Sequence, residues 1–408
     1  MEKEQKERIF MKGLYCGVIL TFLCLLLVVG FSGWRMRRKV SEKKETNIAQ
    51  EKLELDGREI GHKIEEIEKT VNEMFMGEID SQQVEDTIYR GMLWGLEDVY
   101  TEYYSEEDMK AMEDSISGSY SGIGATLIQD VETNQITVES CFEGSPAAEA
   151  GVLPGDIVYG MNGQELKDRN LTEVVSEIKS EENDVITLMI RRGEETIELE
   201  VVPRAIEVPT VNGQMLEESI GYLQITEFDD VTTNQFEETL AELQAEGMQK
   251  LIVDVRNNPG GNLEVVCEIL DQILPEGMIV YTEDKNGERK EYFSDAKRSL
   301  QLPMAVLINE NSASAAEIFA GAIKDYGLGT LVGTTTFGKG IVQRLFHFTD
   351  GTGMKLTIAK YYTPNGNDIH EKGVEPDVEI EQIDDGTGNT TEAEDVQLQK
   401  AIHILGEN

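Results

Sequence analysis

The sequence is poor in several residue types, and each shortage excludes a class of protein. Four cysteines among 408 residues are too few for a disulfide-stabilised scaffold. Four histidines, with no H-E-x-x-H segment, give little support to a zinc site or a serine–histidine–aspartate arrangement. Nine prolines and 38 glycines leave little room for a disordered or collagen-like chain. Only 36 Lys and Arg face 78 Asp and Glu, and a net charge of −42 argues against nucleic-acid binding.

The rest of the composition is that of a folded protein with an unevenly distributed charge. A hydrophobic content of 40% supports packed cores, and 408 residues suggest two or three domains. Residues 1–44 hold ten Lys and Arg against four Glu, a net charge of +6, so the remaining residues carry −48. Within this basic segment, the 22 residues 13–34 are uncharged and as a helix would span about 33 Å. We therefore expect a short tail at 1–12 and a transmembrane anchor at 13–34.

The flanks of this uncharged run favour a retained anchor over a cleaved signal peptide. A signal peptidase needs small residues at an A-x-A-like site, whereas Trp34 and Arg35 follow directly after Gly33. Neither Cys16 nor Cys24 follows a small residue, which argues against a lipidated cysteine. Four basic residues precede the run and six follow it, so the charge count leaves the orientation of the anchor open.

Residues 41–112 have the periodicity of helices. Apolar side chains recur at steps of three and four residues, which marks one face of a first helix. This face comprises Ile60, Ile64, Ile67, Val71, Met74 and Phe75. A second helix is predicted around 84–96, with Ser81 as its N-cap. We interpret 41–112 as a helical arm without a chemical site.

Residues 113–204 change to short β-rich runs separated by turn signals. Segment 145–163 reads S-P-A-A-E-A-G-V-L-P-G-D-I-V-Y-G-M-N-G, which predicts a short helix ending at Gly151 and a hairpin turn at Asn162-Gly163. With the upstream S-G-I-G-A at 121–125, this pattern resembles a PDZ domain; a glycine turn in another β domain is the alternative. The resemblance implies that N–H groups of one loop bind a peptide carboxylate and that the next strand pairs with the peptide. That loop comprises Gly122, Ile123, Gly124 and Ala125.

Residues 205–380 alternate between strand and helix patterns, which predicts an α/β domain. Strands are expected at 221–225, 250–255, 304–308, 330–332, 341–346 and 354–359, and helices at 233–247 and 312–326. The tail at 381–408 begins polar and ends in an amphipathic stretch at 396–405. The expected fold class is therefore a multidomain α+β or α/β protein.

Serine, lysine and glycine carry the candidate chemistry. Ser312 and Ser314 lie between a buried strand and a helix, where free N–H groups stabilise negative charge, although plain helix caps give the same pattern. Lys339 stands between two glycines and would act as a general base only if desolvation lowered its pKa; an exposed turn lysine is the alternative. The Gly260-Gly261 loop can aim N–H groups at an oxyanion or simply form a tight turn.

Together these motifs resemble the carboxyl-terminal processing peptidases, serine peptidases with an inserted PDZ domain, over residues 91–380. Besides the PDZ pattern, the matching segments are G-L-E-D-V-Y-T-E-Y at 95–103, V-D-V-R-N-N-P-G-G-N at 253–262, N-E-N-S-A-S-A-A-E-I-F-A-G at 309–321, T-F-G-K-G-I-V-Q at 336–343, Y-Y-T-P-N-G at 361–366 and G-V-E-P-D at 373–377. The resemblance implies Ser314 as nucleophile, Lys339 as general base and then acid, and Gln343 as the residue that orients the lysine. It also implies the backbone N–H groups of Gly261 and Ala315 as oxyanion donors.

The sequence departs from the family pattern at three positions. Asn311 and Pro259 stand where members often have glycine, and Ala316 stands where serine is common. Pro259 removes one N–H group that could donate a hydrogen bond. The resemblance further implies a core of ClpP/crotonase-like ββα units and an acyl transfer that uses no metal and no cofactor.

The sequence as a whole predicts a membrane-anchored serine endopeptidase whose PDZ domain recognises free C-termini of unfolded or flexible proteins, as a tether or as a gate. By resemblance, the chain would cross the cell membrane once, with its catalytic domain outside the cytoplasm, and could form a homo-oligomer. Two alternatives stay open. One is a catalytically silent PDZ scaffold that binds protein tails, and the other is a serine–histidine hydrolase that uses His347 or His370.

Overall fold

The computed structural model describes residues 53–131, 133–142, 144–167, 169–179, 185–295, 297–382 and 395–407. Within these ranges we find no helix with the combined length and hydropathy of a membrane-spanning segment. The predicted tail at 1–12 and anchor at 13–34 lie outside them, as does the beginning of the predicted arm. The chain forms two compact units, residues 1–79 and 80–408, which we describe separately.

The described part of the first unit contains helix α1 (Gly57–Met74). It begins at Asp56, whose carboxylate accepts hydrogen bonds from the N–H groups of Arg58 and Glu59. The predicted apolar face is present, and its side chains from Ile60 to Val71 are exposed within this chain.

The second unit begins with the rest of the predicted arm, which is less helical than expected. Helix α2 (Ser81–Trp94) starts one residue after Asp80, which is its N-cap in place of the predicted Ser81. A short strand β1 (Glu102–Tyr104) follows, and then helix α3 (Glu106–Ser117). Strand β1 was not expected inside a helical arm. The predicted boundary between arm and PDZ domain, at 112–113, falls within α3.

The PDZ region is an antiparallel β domain with two helices on it. Its elements are β2 (Ser119–Gly122), β3 (Ala125–Gln129), β4 (Ile136–Cys141), α4 (Pro146–Glu149), β5 (Ile157–Met161), β6 (Gln164–Glu165), α5 (Leu171–Lys179), β7 (Ile186–Arg192), β8 (Glu195–Val201) and β9 (Arg204–Glu207). Five strands lie in the order β3-β4-β5-β7-β8, so β3 is an edge strand, while β2 pairs with β9. The predicted turn at Asn162-Gly163 is confirmed, since both residues have positive φ and join β5 to β6.

The remaining elements build the α/β core. They are β10 (Val211–Met215), β11 (Ile220–Ile225), α6 (Thr232–Ala245), β12 (Lys250–Asp254), α7 (Leu263–Asp271), β13 (Gly277–Asp284), β14 (Arg289–Ser294), β15 (Met304–Ile308), α8 (Ala315–Tyr326), β16 (Gly329–Gly333), β17 (Ile341–His347), β18 (Gly353–Tyr362), β19 (Val378–Glu379) and α9 (Val396–Gly406). Six strands form a sheet in the order β10-β11-β12-β15-β16-β19, parallel from β11 onward. The mixed α/β prediction is confirmed, although α8 begins at Ala315 and not at Ser312.

Helices cover both faces of this sheet, which explains the continuous apolar runs of its central strands. Val306 and Ile308 of β15 pack in one cluster with Phe319 of α8, and helices α6 and α7 contribute to the same cluster. Ala305 and Leu307 point to the other face, which α9 covers. The parallel strands place four loops at one edge of the sheet, after β11, β12, β15 and β16. Ligand sites of α/β sheets lie at such an edge.

A second, antiparallel sheet lies beside these loops. Its order is β1-β18-β13-β14, with β17 also paired to β18. Strand β1 joins β18 through the register Tyr103–Met354. The segment 95–103, which was predicted to be part of an arm, is thereby placed next to the strands that follow Lys339.

A buried ion-pair network attaches the C-terminal helix to the core. The guanidinium of Arg256 lies 2.6 Å from the carboxylate of Asp254 and 2.7 Å from that of Asp395, the N-cap of α9. Both carboxylates are largely buried, and Asp254 is 1% exposed. The network therefore connects the end of β12 to the start of α9.

Candidate active site

Two serines precede α8, and their contacts separate a structural role from a chemical one. Ser312 is fully buried; its hydroxyl donates a hydrogen bond to the carbonyl oxygen of Val255 (2.7 Å) and accepts one from the N–H group of Asn309 (3.0 Å). Ser314 lines the large cavity at the sheet edge. Its φ of +52° is rare for a residue other than glycine and is maintained by the surrounding contacts. Of the two candidates, only Ser314 presents its hydroxyl to the cavity.

The fully buried carboxylate of Glu317 connects the backbone of Ser314 to the loop that carries Lys339. One oxygen accepts hydrogen bonds from the N–H groups of Ser314 (2.9 Å) and Lys339 (2.8 Å). The other accepts from the hydroxyl of Thr336 (2.6 Å) and the N–H group of Gly338 (2.7 Å). A carboxylate with four donors is well satisfied despite its burial. It therefore holds the candidate nucleophile and the candidate base in a fixed backbone relation.

Tyr361 of β18 makes a second connection between the same two residues. Its buried hydroxyl oxygen lies 2.9 Å from the carbonyl oxygen of Ser314 and 2.8 Å from that of Lys339, so its proton is shared between two acceptors. Both the N–H and C=O groups of Ser314 and of Lys339 are thereby fixed through side chains that α8 and β18 supply.

Lys339 has the environment that a general base needs. It is half-buried and lines the same cavity as Ser314. Burial lowers the pKa of Lys339, the positive charge of Lys355 lowers it further, and Glu317 acts in the opposite direction. Its ammonium nitrogen lies 4.9 Å from the ring centroid of Tyr100, a residue of the loop before β1. These contacts exclude the exposed-turn interpretation of Lys339.

The glycine loop after β12 presents an uncommitted N–H group next to Ser314. Gly260 and Gly261 have φ of +113° and +135°, and a Cβ on Gly260 would lie 2.7 Å from Cβ of Ser314. The N–H of Gly260 donates to the side chain of the buried Asn258 (2.8 Å). Among the described residues, the N–H groups of Gly261 and Ala315 donate no hydrogen bond. These two groups are therefore free to bind an oxyanion.

All five residues implied by the family resemblance line or border one cavity of about 880 Å³. They are Ser314, Lys339, Gln343, Gly261 and Ala315. No hydrogen bond joins the side chains of Ser314, Lys339 and Gln343 in the part of the chain that the structure describes. The buried amide nitrogen of Gln343 has no hydrogen-bond partner there. The structure thus brings the predicted residues together without the direct contacts of a closed dyad.

Comparison with known proteins identifies the family of the chain. Residues 219–380 match the sequence model of peptidase family S41, and residues 137–192 match that of a PDZ domain. The chain is 34% identical over 328 residues to the carboxy-terminal processing protease CtpB of Bacillus subtilis, covering 79% of this chain and 68% of that protein. The chain belongs to peptidase family S41. The predicted resemblance to carboxyl-terminal processing peptidases is confirmed.

Further relatives are similar over most of the chain. A probable CtpA-like serine protease of Staphylococcus aureus strain COL is 34% identical over 323 residues, which is 78% of this chain. The chain spans 64% of the length of that relative. Among solved structures, the photosystem II D1 C-terminal processing protease aligns with a TM-score of 0.46 and 26% identity, over 79% of this chain and 87% of that one.

Two residues that depart from the family pattern, Asn311 and Pro259, are compatible with the geometry around Ser314. The side-chain amide of Asn311 donates a hydrogen bond to the side-chain oxygen of Asn257 (2.9 Å), which the amide of Asn309 also contacts (2.9 Å). This network stabilises the two loops that surround Ser314. Pro259 lacks an N–H group, but the free N–H group of the glycine loop belongs to Gly261.

The two histidines of the alternative serine–histidine hydrolase, His347 and His370, lie outside the lining of the cavity that contains Ser314. His347 is exposed and lies 3.3 Å from the carboxylate of Glu113. His370 packs its backbone against Gly340, and it does not line the cavity that contains Ser314. Among the described residues, no three His, Cys, Asp or Glu side chains are grouped so that they could hold a metal ion.

The predicted carboxylate-binding loop of the PDZ domain has two free donors. The carbonyl oxygen of Ile123 accepts from the N–H group of Ala147 (2.8 Å), and that of Gly124 accepts from Phe142 (2.9 Å). The N–H groups of Ile123 and Gly124 have no acceptor among the described residues. Gly122 belongs to β2, and Ala125 begins the edge strand β3. The loop thus combines free N–H groups with a strand edge that is open to pairing.

Several residues of the site were not found by sequence reasoning. Glu317 carries a detectable signal, since it stands three residues after an N-cap serine, but that spacing indicates only a capping box. Tyr361, Tyr100 and Asn258 act through contacts between distant segments, which no local pattern indicates.

Proposed function

We propose that the chain is a membrane-anchored serine endopeptidase of the carboxyl-terminal processing type that works through a Ser314–Lys339 dyad. The observation that carries the proposal is one cavity that is lined by Ser314, a lysine whose pKa burial lowers, and the uncommitted N–H group of Gly261. A lysine that loses its proton near neutral pH can accept one from serine without a histidine.

The proposed reaction is an acyl transfer. Neutral Lys339 accepts the proton of Ser314 Oγ as that oxygen attacks the peptide carbonyl carbon. The N–H groups of Gly261 and Ala315 bind the oxyanion that forms. The lysine ammonium then protonates the departing amine nitrogen as the C–N bond breaks, which leaves an ester. Water attacks this ester, gives a proton to Lys339, and releases the serine, which regains that proton.

Gln343 is proposed to complete the dyad. Its unpaired amide lies in the same cavity, so its carbonyl oxygen can accept a hydrogen bond from Lys339 once that side chain turns toward Ser314. Catalytic hydrogen bonds are often long or absent before substrate binds, which is consistent with the open arrangement.

The test of the dyad compares the unmodified full chain with three variants in detergent, with an unstructured protein as substrate. Ser314→Ala and Lys339→Arg should each lower kcat/KM by roughly 1,000-fold or more, because one lacks the nucleophile and the other stays protonated. Ser312→Ala is the matched control, because it removes a hydroxyl only two residues from Ser314. The folded fraction of this variant should retain cleavage. Substantial cleavage by Ser314→Ala would refute the dyad.

The same assay distinguishes the alternative of a silent PDZ scaffold. A scaffold would bind peptide tails but would cleave none of the substrates, even as the unmodified chain. Cleavage by the unmodified chain together with its loss in Ser314→Ala would exclude that alternative.

The PDZ domain is proposed to bind the free C-terminus of the substrate at Gly122, Ile123, Gly124 and Ala125. The free N–H groups of Ile123 and Gly124 support this assignment, because they need a carboxylate as acceptor. Amidation of the C-terminus should weaken peptide binding to the Ser314→Ala chain about tenfold.

A second experiment distinguishes a PDZ domain that acts as a gate from one that acts as a tether. A short tail peptide is added to a substrate that has no tail. If the domain is a gate, the peptide should stimulate cleavage; if it is a tether, cleavage should be unaffected or inhibited.

The membrane location is proposed from the sequence. The uncharged run at 13–34 and the resemblance to extracytoplasmic peptidases support a single-pass anchor with the catalytic part outside the cytoplasm. Fractionation of cells, followed by protease treatment of intact cells, tests both statements. Release of the chain into the soluble fraction, or protection from the added protease, would contradict them.

A further inference from the structure

The segment after β11 runs alongside the glycine loop and carries two acidic residues into the cavity. The N–H group of Phe228 donates to the carbonyl oxygen of Gly260 (2.8 Å), and its carbonyl accepts from Asn262 (2.7 Å). Phe228 is fully buried, with its ring 6.4 Å from that of Phe319. Because side chains alternate in extended chain, Glu227 and Asp229 project to the other side. Both line the cavity that contains Ser314.

Asp229 is a largely buried residue, 6% exposed, that lines the cavity. Among the described residues, no group donates a hydrogen bond to its carboxylate or forms an ion pair with it, so its oxygens face only the cavity. Its own N–H group donates to the hydroxyl of Thr232 (2.9 Å), which fixes the backbone but leaves the carboxylate free. A Cβ on Gly118, at the C-terminal end of α3, would lie 2.8 Å from the Asp229 side chain. A carboxylate next to the negative end of a helix and without donors favours a cation.

Electrostatics supports the same interpretation. Burial raises the pKa of Asp229 to about 7, and Glu227 and Asp230 add to the rise. Burial also raises the pKa of Glu227. Each carboxylate is therefore more costly to ionise than in water, and a cation bound nearby reduces this cost.

The cations that line other parts of the cavity are engaged elsewhere. Lys290 lies 3.5 Å from Glu264, and Lys355 lies 3.8 Å from Glu102. Lys339 faces the ring of Tyr100, and the guanidinium of Arg344, which also lines the cavity, lies 5.7 Å from the ring centroid of Phe346. In the part of the chain that the structure describes, neither acidic residue forms an ion pair with a basic side chain, so both carboxylates are available to a cation of the substrate.

We propose that Glu227 and Asp229 form an acidic subsite that binds a Lys or Arg side chain of the substrate close to the scissile bond. The proposal rests on the proposed peptidase function of the same cavity. The segment lies one strand spacing, about 4.8 Å, from the glycine loop that would hold the scissile carbonyl. Only residues one or two positions from that carbonyl can therefore reach the subsite. It would select for a positive charge independently of the tail that the PDZ domain binds.

The experiment measures kcat/KM of the full chain on a set of unstructured peptides with one common C-terminal tail. Lysine is placed in turn at each position within three residues of the cleaved bond, and the uncharged isostere norleucine replaces it in the paired peptide. We expect a lysine-to-norleucine ratio of about 10 or more at one or two positions. In Asp229→Asn and in Glu227→Gln that ratio should fall toward 1. Because the ratio is taken within one variant, a general loss of activity cancels.

Asp230→Asn is the matched control, since it removes the same charge at the neighbouring residue. Its carboxylate is exposed and accepts a hydrogen bond from the Asn262 amide (3.0 Å), outside the cavity lining. The ratio should stay within about twofold of the unmodified chain. A lysine-to-norleucine ratio near 1 at every position, measured with the unmodified chain alone, would overturn the proposal. A ratio that Asp229→Asn and Glu227→Gln leave unchanged would also overturn it. Failure to cleave any peptide would instead refute the peptidase function.

Discussion

The substitution Glu317→Gln tests whether one buried carboxylate fixes the backbone of both the candidate nucleophile and the candidate base. Glu317 is fully buried and accepts four hydrogen bonds, two at each oxygen. Glutamine has the same shape but only one carbonyl oxygen, so its NH₂ group must face two of the four donors. The least costly orientation directs NH₂ toward Thr336 and Gly338, because the Thr336 hydroxyl can turn and accept.

The cost of this change follows from the hydrogen bonds that are lost. The N–H group of Gly338 remains buried without an acceptor, at about 1–3 kcal/mol, and one charge-assisted hydrogen bond is removed, at about 1.5–3 kcal/mol. The free energy of unfolding should therefore fall by about 2.5–6 kcal/mol, a large part of the roughly 5–15 kcal/mol of a typical domain. The loop that carries Lys339 should loosen first, since two of the four donors belong to Gly338 and Lys339.

The assay combines urea denaturation, followed by circular dichroism, with hydrogen exchange of the amides at 336–340. Ser314→Ala serves as background, so that self-cleavage cannot interfere. Glu310→Gln is the matched control, because its exposed carboxylate accepts a hydrogen bond from the Thr334 hydroxyl (2.8 Å) on the surface. That control should change stability by less than about 0.5 kcal/mol. A loss below about 1 kcal/mol in Glu317→Gln, with unchanged exchange at Gly338 and Lys339, would refute the reasoning.

Three further substitutions test the charges around the site and the docking of the last helix. Lys355→Met removes a like charge that lowers the pKa of Lys339, so the rising, acidic limb of the pH profile of kcat/KM, where the base loses its proton, should move to higher pH. Tyr100→Leu removes a ring that stabilises the ammonium form, so the same limb should move to lower pH by about half a unit. Arg256→Met leaves the buried Asp254 without its ion pair; urea denaturation should show a loss of about 3–5 kcal/mol, and hydrogen exchange should show release of α9.

The two pH predictions have opposite signs, which makes them a strict test of the local electrostatics. A shift in the same direction for Lys355→Met and Tyr100→Leu would mean that a common structural change, and not the charge or the ring, controls Lys339. Retained exchange protection of α9 in Arg256→Met would show that apolar packing alone holds that helix.

The residues of the candidate dyad were predicted from the joint resemblance of several segments to one family, because each local pattern alone is ambiguous. A serine before a helix can be a plain cap, and a lysine between glycines can be an exposed turn residue; the structure places Ser314 and Lys339 in one cavity. The choice between Ser312 and Ser314 could not be made locally. Both precede the same helix, and only the contact of Ser312 with the Val255 carbonyl, 57 residues away, identifies it as structural.

The arm was predicted less well because tertiary pairing overrides helix periodicity there. Strand β1 has three residues, too few for a strand signal, and it exists because it pairs with β18 about 250 residues later. The hydroxyl of Thr101 accepts a hydrogen bond from the N–H group of Thr357 (3.3 Å), which holds this segment against the sheet. Tyr100 reaches Lys339 for the same reason. Similarly, the unpartnered state of Asp229 is a property of the folded cavity and has no sequence signature.

The backbone geometry limits how the open site can become a closed dyad. Glu317 and Tyr361 each contact both Ser314 and Lys339, so a movement of one backbone segment relative to the other would break several buried hydrogen bonds. At about 1–3 kcal/mol for each unsatisfied group, such a movement costs more than a rotation of one lysine side chain. The dyad should therefore form by rotation of Lys339 away from the Tyr100 ring and toward Ser314 and Gln343. The lost ring contact, about 0.5–2 kcal/mol, can be offset by the hydrogen bonds gained. Any influence of the PDZ domain on catalysis must then act on the Lys339 side chain and its neighbours, because Glu317 and Tyr361 hold the backbone of Ser314 and Lys339 in place.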